Sequence, residues 1–174
     1  MRSISRACLL VAVLAATGAA GLAQGRFEIV TGKLLRAAVP RDFYLEGNAI
    51  PVEKWNAALI RTPAGARALF ALIVTTGFAS EIQQKYSGMI ISEGHLSLCG
   101  KKLAVASYGF GIRRPPALAQ KAQFLLYNQA GEQMMACRME RDSRMREPRP
   151  LQVIIESSHS ARLYLGRYWV PLGP

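Results

Sequence analysis

Five arginines crowd one short stretch of the sequence, residues 138–149 (RMERDSRMREPR), called here the arginine segment. Guanidinium groups bind carboxylates and phosphates through paired hydrogen bonds. One interpretation is therefore a patch for anionic polymers, lipid head groups or an acidic partner. The other, which the sequence alone favours, is a solvated loop partly neutralised by its own acids, Glu140, Asp142 and Glu147. The arginines are Arg138, Arg141, Arg144, Arg146 and Arg149.

Aromatic side chains offer a second kind of binding surface. Trp55 and Trp169, with Tyr44 and residues 164–169 (YLGRYW), could stack against sugar rings. Tyrosine and tryptophan also favour strands and fill the cores of β-sandwiches. Alternation along a strand places Tyr168 on the face opposite Trp169, so at least one of these sets is expected in the core.

Cys99 and Cys137 are the cysteines that remain once the N-terminal segment described below is removed. In an oxidising compartment they could form a disulfide. It would close a loop of about 40 residues and add roughly 3–4 kcal/mol in the chain-entropy model. The alternative is two separate buried thiols, because free cysteine packs as a small apolar residue. The sequence leaves both open, since a disulfide needs Cα atoms within about 7 Å.

No constellation in the sequence specifies a reaction. His95 lies four residues before Cys99, but this segment alternates as a strand does, and four strand residues span about 13 Å. A nucleophile and its base need about 3 Å. His159 lies among serines without a G-x-S-x-G turn, and neither metal-ligand spacing nor a phosphate-binding fingerprint is present. We therefore predict no catalytic residues, no metal and no cofactor.

Two-residue periodicity dominates the elements that must hold these side chains. It predicts three hairpins, followed by a strand at residues 168–172 after a bend at Gly166. Residues 69–76 (LFALIVTT) predict a strand buried on both faces. The paired segments are 91–98 with 103–112 around a basic turn at 100–102, 123–127 with 133–139, and 151–156 with 161–165.

Helical signal is sparse. Ser80 and Gln83 resemble a capping box, and Gly88 is a suitable end, so one helix of about two turns is expected. Residues 39–63 contain three prolines and predict extended segments and loops. The fold class expected is mainly β, as a single antiparallel β-sandwich or small barrel-like domain with one short helix.

The N-terminal segment has the three parts of a secretory signal. Arg2 and Arg6 make the first six residues positive, residues 7–16 are apolar, and residues 17–25 are mostly small. Cleavage is predicted after Ala23, which leaves residues 24–174 as one β-rich exported domain, with an internal division near 113–120 left open. The alternative is a retained anchor, but a spanning helix needs about 20 strongly apolar residues.

The charge balance is strongly basic. The chain has 22 Lys and Arg against 11 Asp and Glu, and removal of Arg2 and Arg6 takes the formal charge from +11 to +9. We predict a periplasmic or secreted, non-enzymatic binding or structural module whose partner is an anionic envelope polymer or a membrane surface. Nucleic acid is not expected, because the protein is exported and lacks an aromatic platform. No integral membrane segment is expected after cleavage, and the oligomeric state is left open.

Two further function classes stay open. One is an exported hydrolase whose polar residues converge only in the fold, for example Glu81, Glu93 or His95. The other is an accessory or inhibitor protein that acts through an exposed strand edge. A cleft of mutually bonded acids and histidines would favour the hydrolase, and a bare edge strand would favour the accessory protein.

Overall fold

The structure, a computed structural model, describes residues 25–114 and 121–174. The predicted signal at residues 1–23 and most of the division expected near 113–120 lie outside the described residues. Export and cleavage therefore stay predictions. Neither helix in the described part of the chain is long and apolar enough to cross a membrane.

Short strands make up most of the described chain, and two short helices interrupt them. The strands are β1 Glu28–Val30, β2 Asp42–Leu45, β3 Asn48–Arg61, β4 Arg67–Ile73, β5 Gly88–Ser92, β6 Leu96–Leu98, β7 Lys101–Leu103, β8 Ala106–Arg113, β9 Gln123–Tyr127, β10 Gln133–Arg138, β11 Glu140–Arg141, β12 Gln152–Ser157, β13 Ser160–Leu165 and β14 Tyr168–Gly173. The helices are α1 Gly32–Ala38 and α2 Ser80–Lys85.

These strands form two sheets in which the pairings are antiparallel. The larger sheet has the order β1-β3-β4-β5-β8-β9-β10, with β2 added to β3. The smaller sheet has the order β12-β13-β14-β6-β7, with β11 added to β14. The mainly β, antiparallel fold class predicted from periodicity is confirmed.

One apolar cluster joins the two sheets. Phe70, Phe110 and Phe124 reach it from the larger sheet, and Leu163 and Val170 reach it from the smaller one. Burial of such side chains provides the main driving force for packing one sheet on the other.

A second apolar cluster lies on the other face of the larger sheet. Phe43 of β2 and Ile82 of α2 pack there against Leu69 and Met89 of the sheet. The larger sheet is thus covered on both faces. This explains why β4 is apolar after Arg67, as predicted for residues 69–76, although the strand ends at Ile73.

Two of the predicted hairpins are confirmed, and the remaining one is divided between the sheets. β9 pairs with β10, and β12 pairs with β13. In the first predicted hairpin, β5 pairs with β8 in the larger sheet, whereas β6 pairs with β7 in the smaller sheet. Alternation is the same in both sheets, so periodicity cannot indicate where the chain passes from one to the other.

Residues 39–63, predicted as extended segments and loops, have more regular strand than expected, because they contain β2 and the 14-residue strand β3. A register irregularity between Val52 and Ala57 interrupts its pairing with β4 and its alternation. Pro51 opposes Asp42 of the short strand β2, and its carbonyl accepts a hydrogen bond from the Val74 N–H at 2.8 Å. Because Pro51 and the irregularity interrupt the alternation, the sequence did not predict these residues as one strand.

The helices also differ from expectation. α2 has only six residues, its N-cap is Ala79 and not Ser80, and no side chain caps it, so the predicted capping box is wrong. The Gln83 amide instead donates to the Phe78 carbonyl at 2.8 Å. α1 was not predicted, since it buries no residue fully and leaves little amphipathic pattern.

Candidate anion-binding groove

The structure distributes the arginine segment over three elements. Arg138 ends β10, Arg141 lies in β11, and the remaining three occupy the connection from β11 to β12. All five side chains belong to exposed residues. In the β11–β14 pairing, Arg141 lies opposite Tyr168, so these two side chains share one face.

Two of the three local acids, Glu140 and Asp142, have partners other than these arginine side chains. The Glu140 carboxylate accepts hydrogen bonds from Lys121 Nζ at 2.7 and 2.9 Å. Asp142 Oδ1 accepts from the N–H groups of Arg144 and Met145, and its Oδ2 accepts from the Tyr164 hydroxyl at 3.2 Å. Across residues 25–114 and 121–174, no ion pair involves any of the five arginines. Their charges are therefore available to a ligand.

Two of the five arginines line one groove together with two that the sequence did not single out. Arg141 and Arg149 meet Arg114 and Arg167 around a space of about 430 Å³, called here the arginine groove. No acidic residue lines it. Arg138, Arg144 and Arg146 lie outside its lining. The other lining residues are Pro148, Pro150, Leu165, Gly166 and Tyr168.

Backbone hydrogen bonds hold the two walls of this groove together. The Gly166 N–H, in the β13–β14 turn, donates to the carbonyls of Arg149 at 3.1 Å and Pro150 at 3.3 Å. The Asp142 N–H donates to the Arg167 carbonyl at 2.8 Å, and Arg167 Nη1 donates to the Met145 carbonyl. The Arg167 guanidinium is thus positioned by a bond that is already made, which lowers the entropy cost of binding, while the bond from Gly166 fixes the backbone of Arg149.

Arg114 and Arg167 were missed because neither lies in the arginine segment. Gly166 was the only nearby signal. Its φ of +65° permits the tight turn that brings Arg167 to the groove, as the predicted bend implied. Arg114 reaches the groove from the end of β8, and only the packing of the two sheets brings it there.

A neighbouring hollow of about 340 Å³, called here the apolar hollow, continues from the groove. The two spaces share Arg114, Pro150, Leu165 and Gly166. The rest of the hollow is lined mainly by aliphatic side chains of the larger sheet. These further lining residues are Glu53, Leu72, Ile73, Ser87 and Ile112.

The two tryptophans do not form a common surface with the arginine groove. Trp55 lies in the irregular part of β3 and is 96% exposed. Trp169 is half-buried in β14, and the Arg162 guanidinium lies 3.9 Å from its ring centroid. The aromatic residue that lines the groove is Tyr168, which was expected to face away from Trp169.

Cys99 and Cys137 form a disulfide, with Cα atoms 6.4 Å apart. It connects the β6–β7 turn of the smaller sheet to β10 at the edge of the larger one. Of the two possibilities that the sequence left open, the structure thus shows the disulfide. Because the Cys99 sulfur is bonded, it provides no thiolate for a pair with His95.

The residues named for a hydrolase do not converge. Glu93 forms a two-point ion pair with Arg67 at 2.6 and 2.7 Å, on the surface of the larger sheet. Glu81 lines a different hollow beside α2, and His95 is exposed. Within the described part of the chain, no group of three or more His, Cys, Asp or Glu side chains could hold a metal ion.

One polar cluster escaped the sequence analysis. Glu46 Oε1 accepts hydrogen bonds from Lys85 Nζ at 2.5 Å and from the Tyr86 hydroxyl at 2.6 Å. These bonds lower the pKa of Glu46, first through Lys85 and then through Tyr86. Burial, followed by the bond to Glu46, raises the pKa of Tyr86. At neutral pH the carboxyl is ionised and the phenol protonated, so the cluster fastens the β2–β3 turn to α2.

Comparison with known proteins finds no matching family model, no matching curated protein and no matching solved structure.

Proposed function

We propose that this protein is an exported, non-enzymatic binding module that holds an anionic ligand of the cell envelope in the arginine groove. The observation that carries the proposal is the lining of that groove. It contains Arg114, Arg141, Arg149 and Arg167, contains no acid, and takes part in no ion pair among the described residues.

Four like charges in one groove repel each other, so a bound anion relieves that repulsion as well as forming its own bonds. Guanidinium groups suit carboxylates and phosphates, because two parallel N–H groups match two oxygens. The formal charge of +9 that remains after removal of Arg2 and Arg6 adds a long-range attraction toward anionic polymers and membrane surfaces. These features support binding, whereas the residues named for a hydrolase remain dispersed.

One specific observation favours the accessory-protein alternative. β10 lies at the end of the larger sheet and pairs only with β9 among the described strands. Its other edge offers backbone groups for strand addition, beside the exposed Met134. Met134→Lys, which places a charge on that edge, should abolish such an interaction and leave anion binding unchanged. Equal association of the wild type and of Met134→Lys with such a partner would remove this alternative.

The test of anion binding compares two variants that lose the same charge. The groove variant carries Arg141→Ser and Arg149→Ser, and the control carries Arg138→Ser and Arg144→Ser. Co-sedimentation with anionic vesicles and with an acidic glycan should weaken at least about tenfold in the groove variant, since charge-assisted hydrogen bonds contribute about 1.5–3 kcal/mol each. The control should lose much less.

Salt provides the second measurement. Retention should fade as the Debye length shortens from about 10 Å at 0.1 M to about 3 Å at 1 M salt. Equal losses of retention in the two variants would show that binding depends on the total charge and not on the groove. Equal retention by all three proteins, or retention that salt does not change, would overturn the proposal.

A further inference from the structure

The arginine groove adjoins the apolar hollow, whose further lining includes three aliphatic side chains, Leu72, Ile73 and Ile112. Arg114 and Pro150 belong to the linings of both spaces, so a ligand anchored at the guanidinium groups lies next to the apolar hollow. Resting on the proposed function, we infer that the ligand is an anionic amphiphile. Its anionic group binds Arg114, Arg149 and Arg167, and its apolar chain enters the hollow.

The hollow lies where the apolar interior of the fold reaches the surface. Leu165, in the cluster between the sheets, and Ile73, in the cluster on the outer face, both line it. Leu72 and Ile112 are only half-buried and complete the wall. Because Ile73 and Leu165 are already buried, a chain placed there removes from water its own apolar surface and that of Leu72 and Ile112. At about 340 Å³, the hollow falls within the range usual for small-molecule sites.

The polar groups of the hollow direct an anion toward the arginine groove. Glu53 is its only acidic lining residue, and its Oε2 accepts a hydrogen bond from the Asn56 amide at 2.6 Å. A negative head group is repelled by this carboxylate, which does not line the groove, and attracted by the guanidinium groups that do. Ser87 has its backbone N–H and carbonyl bonded to Phe110 and Ile73. Charge therefore sets the orientation, with the head in the groove and the chain in the hollow.

A hydrophilic acidic polymer would use only part of this site. It would bind the arginines but would gain nothing from contact with Leu72, Ile73 and Ile112. The adjacency of an unpaired cationic groove and an aliphatic hollow thus favours an amphiphile over a polymer.

Calorimetric titration of the purified protein tests this inference with a series of probes. Inorganic phosphate tests the head group alone, and hexyl, octyl and decyl phosphate below their micelle concentrations add the chain. We expect each methylene to tighten binding by up to about fourfold until the hollow is filled. Octylphosphocholine, whose head is zwitterionic, should bind much more weakly than octyl phosphate. Octanoate tests whether a carboxylate head serves as well as a phosphate.

Two variants test separately how the ligand's anionic head and its alkyl chain contribute to binding. Arg149→Ser should weaken inorganic phosphate and all alkyl phosphates by the same factor. Leu72→Ser should reduce the gain per methylene and leave inorganic phosphate binding unchanged. If Leu72→Ser does not fold, Pro150→Ser takes its place as the chain variant, because Pro150 is exposed and lines both spaces.

The outcomes distinguish this inference from the proposed function. If dextran sulfate binds through the arginines but affinity for alkyl phosphates does not depend on chain length, the amphiphile is excluded and anion binding stands. If no anionic probe binds, both are overturned. A dependence on chain length that Leu72→Ser and Pro150→Ser leave intact would place the chain outside the hollow and overturn the inference.

Discussion

At the residue scale, the two tryptophans have opposite surroundings. Trp55 extends into solvent from the irregular part of β3, whereas the ring of Trp169 lies beneath the Arg162 guanidinium, which is itself paired with Glu156 at 2.7 Å. Tyr164 packs near Trp169, with ring centroids 6.4 Å apart. Both tryptophans were candidates for a sugar-stacking surface, and neither lines the arginine groove.

Trp55→Ser should therefore change the free energy of unfolding by less than about 0.5 kcal/mol, because the indole buries almost no surface. The variant should lose the component of tryptophan fluorescence that acrylamide quenches readily, and the component from Trp169 should remain. Chemical denaturation and quenching of both proteins check this. A large loss of stability would mean that Trp55 packs against the protein.

The stability of the fold in acid depends on the ionised Glu46 carboxylate, which bonds to Lys85 and Tyr86. Its pKa in the folded protein is lowered from 4.5, so its carboxylate stabilises the fold above the unfolded-state pKa. This contribution is lost as the pH falls through the lowered folded-state pKa. Glu46→Gln should reduce stability at pH 7 and flatten the decline of stability with acid. The measurement is urea denaturation at a series of pH values.

Glu81→Gln is the matched control, since Glu81 is also exposed and lies in the first turn of α2 but forms no ion pair in the described part of the chain. Its pH profile should match the wild type in shape. If Glu46→Gln also keeps that shape, the cluster around Lys85 and Tyr86 does not support the fold as described.

At the element scale, the close approach of α2 to β8 depends on glycine. A Cβ atom on Gly111 would lie 2.0 Å from the Lys85 carbonyl oxygen, at the end of α2. A Cβ on Gly109 would lie 2.6 Å from the Tyr86 ring. The helix can therefore rest on the sheet only where β8 lacks side chains, and this contact holds Lys85 and Tyr86 beside Glu46.

The disulfide connects two elements that share no strand pairing, the β6–β7 turn and β10. Replacement of Cys99 and Cys137 by serine should lower the free energy of unfolding by about 3–4 kcal/mol, because the unfolded chain regains the freedom of a 38-residue loop. Urea denaturation checks the value, and wild type under reducing conditions is the control. Equal stability of all forms would contradict it.

At the scale of the whole molecule, export is the expectation on which the envelope ligand depends. The charged start, the apolar run at residues 7–16 and the small residues before Gln24 predict cleavage after Ala23. Expression in a bacterial host should yield, outside the cytoplasm, a product that begins near Gln24. N-terminal mass spectrometry checks this.

Leu10→Arg interrupts the apolar run and should retain the protein in the cytoplasm with Met1 or its processed form at the N-terminus. An intact Met1 on soluble cytoplasmic wild-type protein would contradict export. In that case the arginine groove could still bind anions, but its ligand would not be an envelope component.

Much of the secondary structure was predictable, because strand formation has a local signature. Alternating apolar side chains predicted β9, β10, β12, β13 and β14 close to their observed bounds. Where a bulge and a proline interrupted alternation, as in β3, the sequence predicted extended segments but not one continuous strand. The two cysteines of residues 24–174 allowed only one internal pairing, so sequence could name the disulfide but not decide whether it forms.

The candidate site was only half predictable from sequence. The arginine segment contributed Arg141 and Arg149, while Arg114 and Arg167 come from the end of β8 and from a two-residue turn. The sequence by itself determined the local quantities: strand periodicity, charge balance and which cysteines could pair. Only the tertiary structure decided which sheet each strand joins, which arginines face one another and which tryptophan meets water. Those outcomes depend on packing between residues distant in the chain, which no local pattern contains.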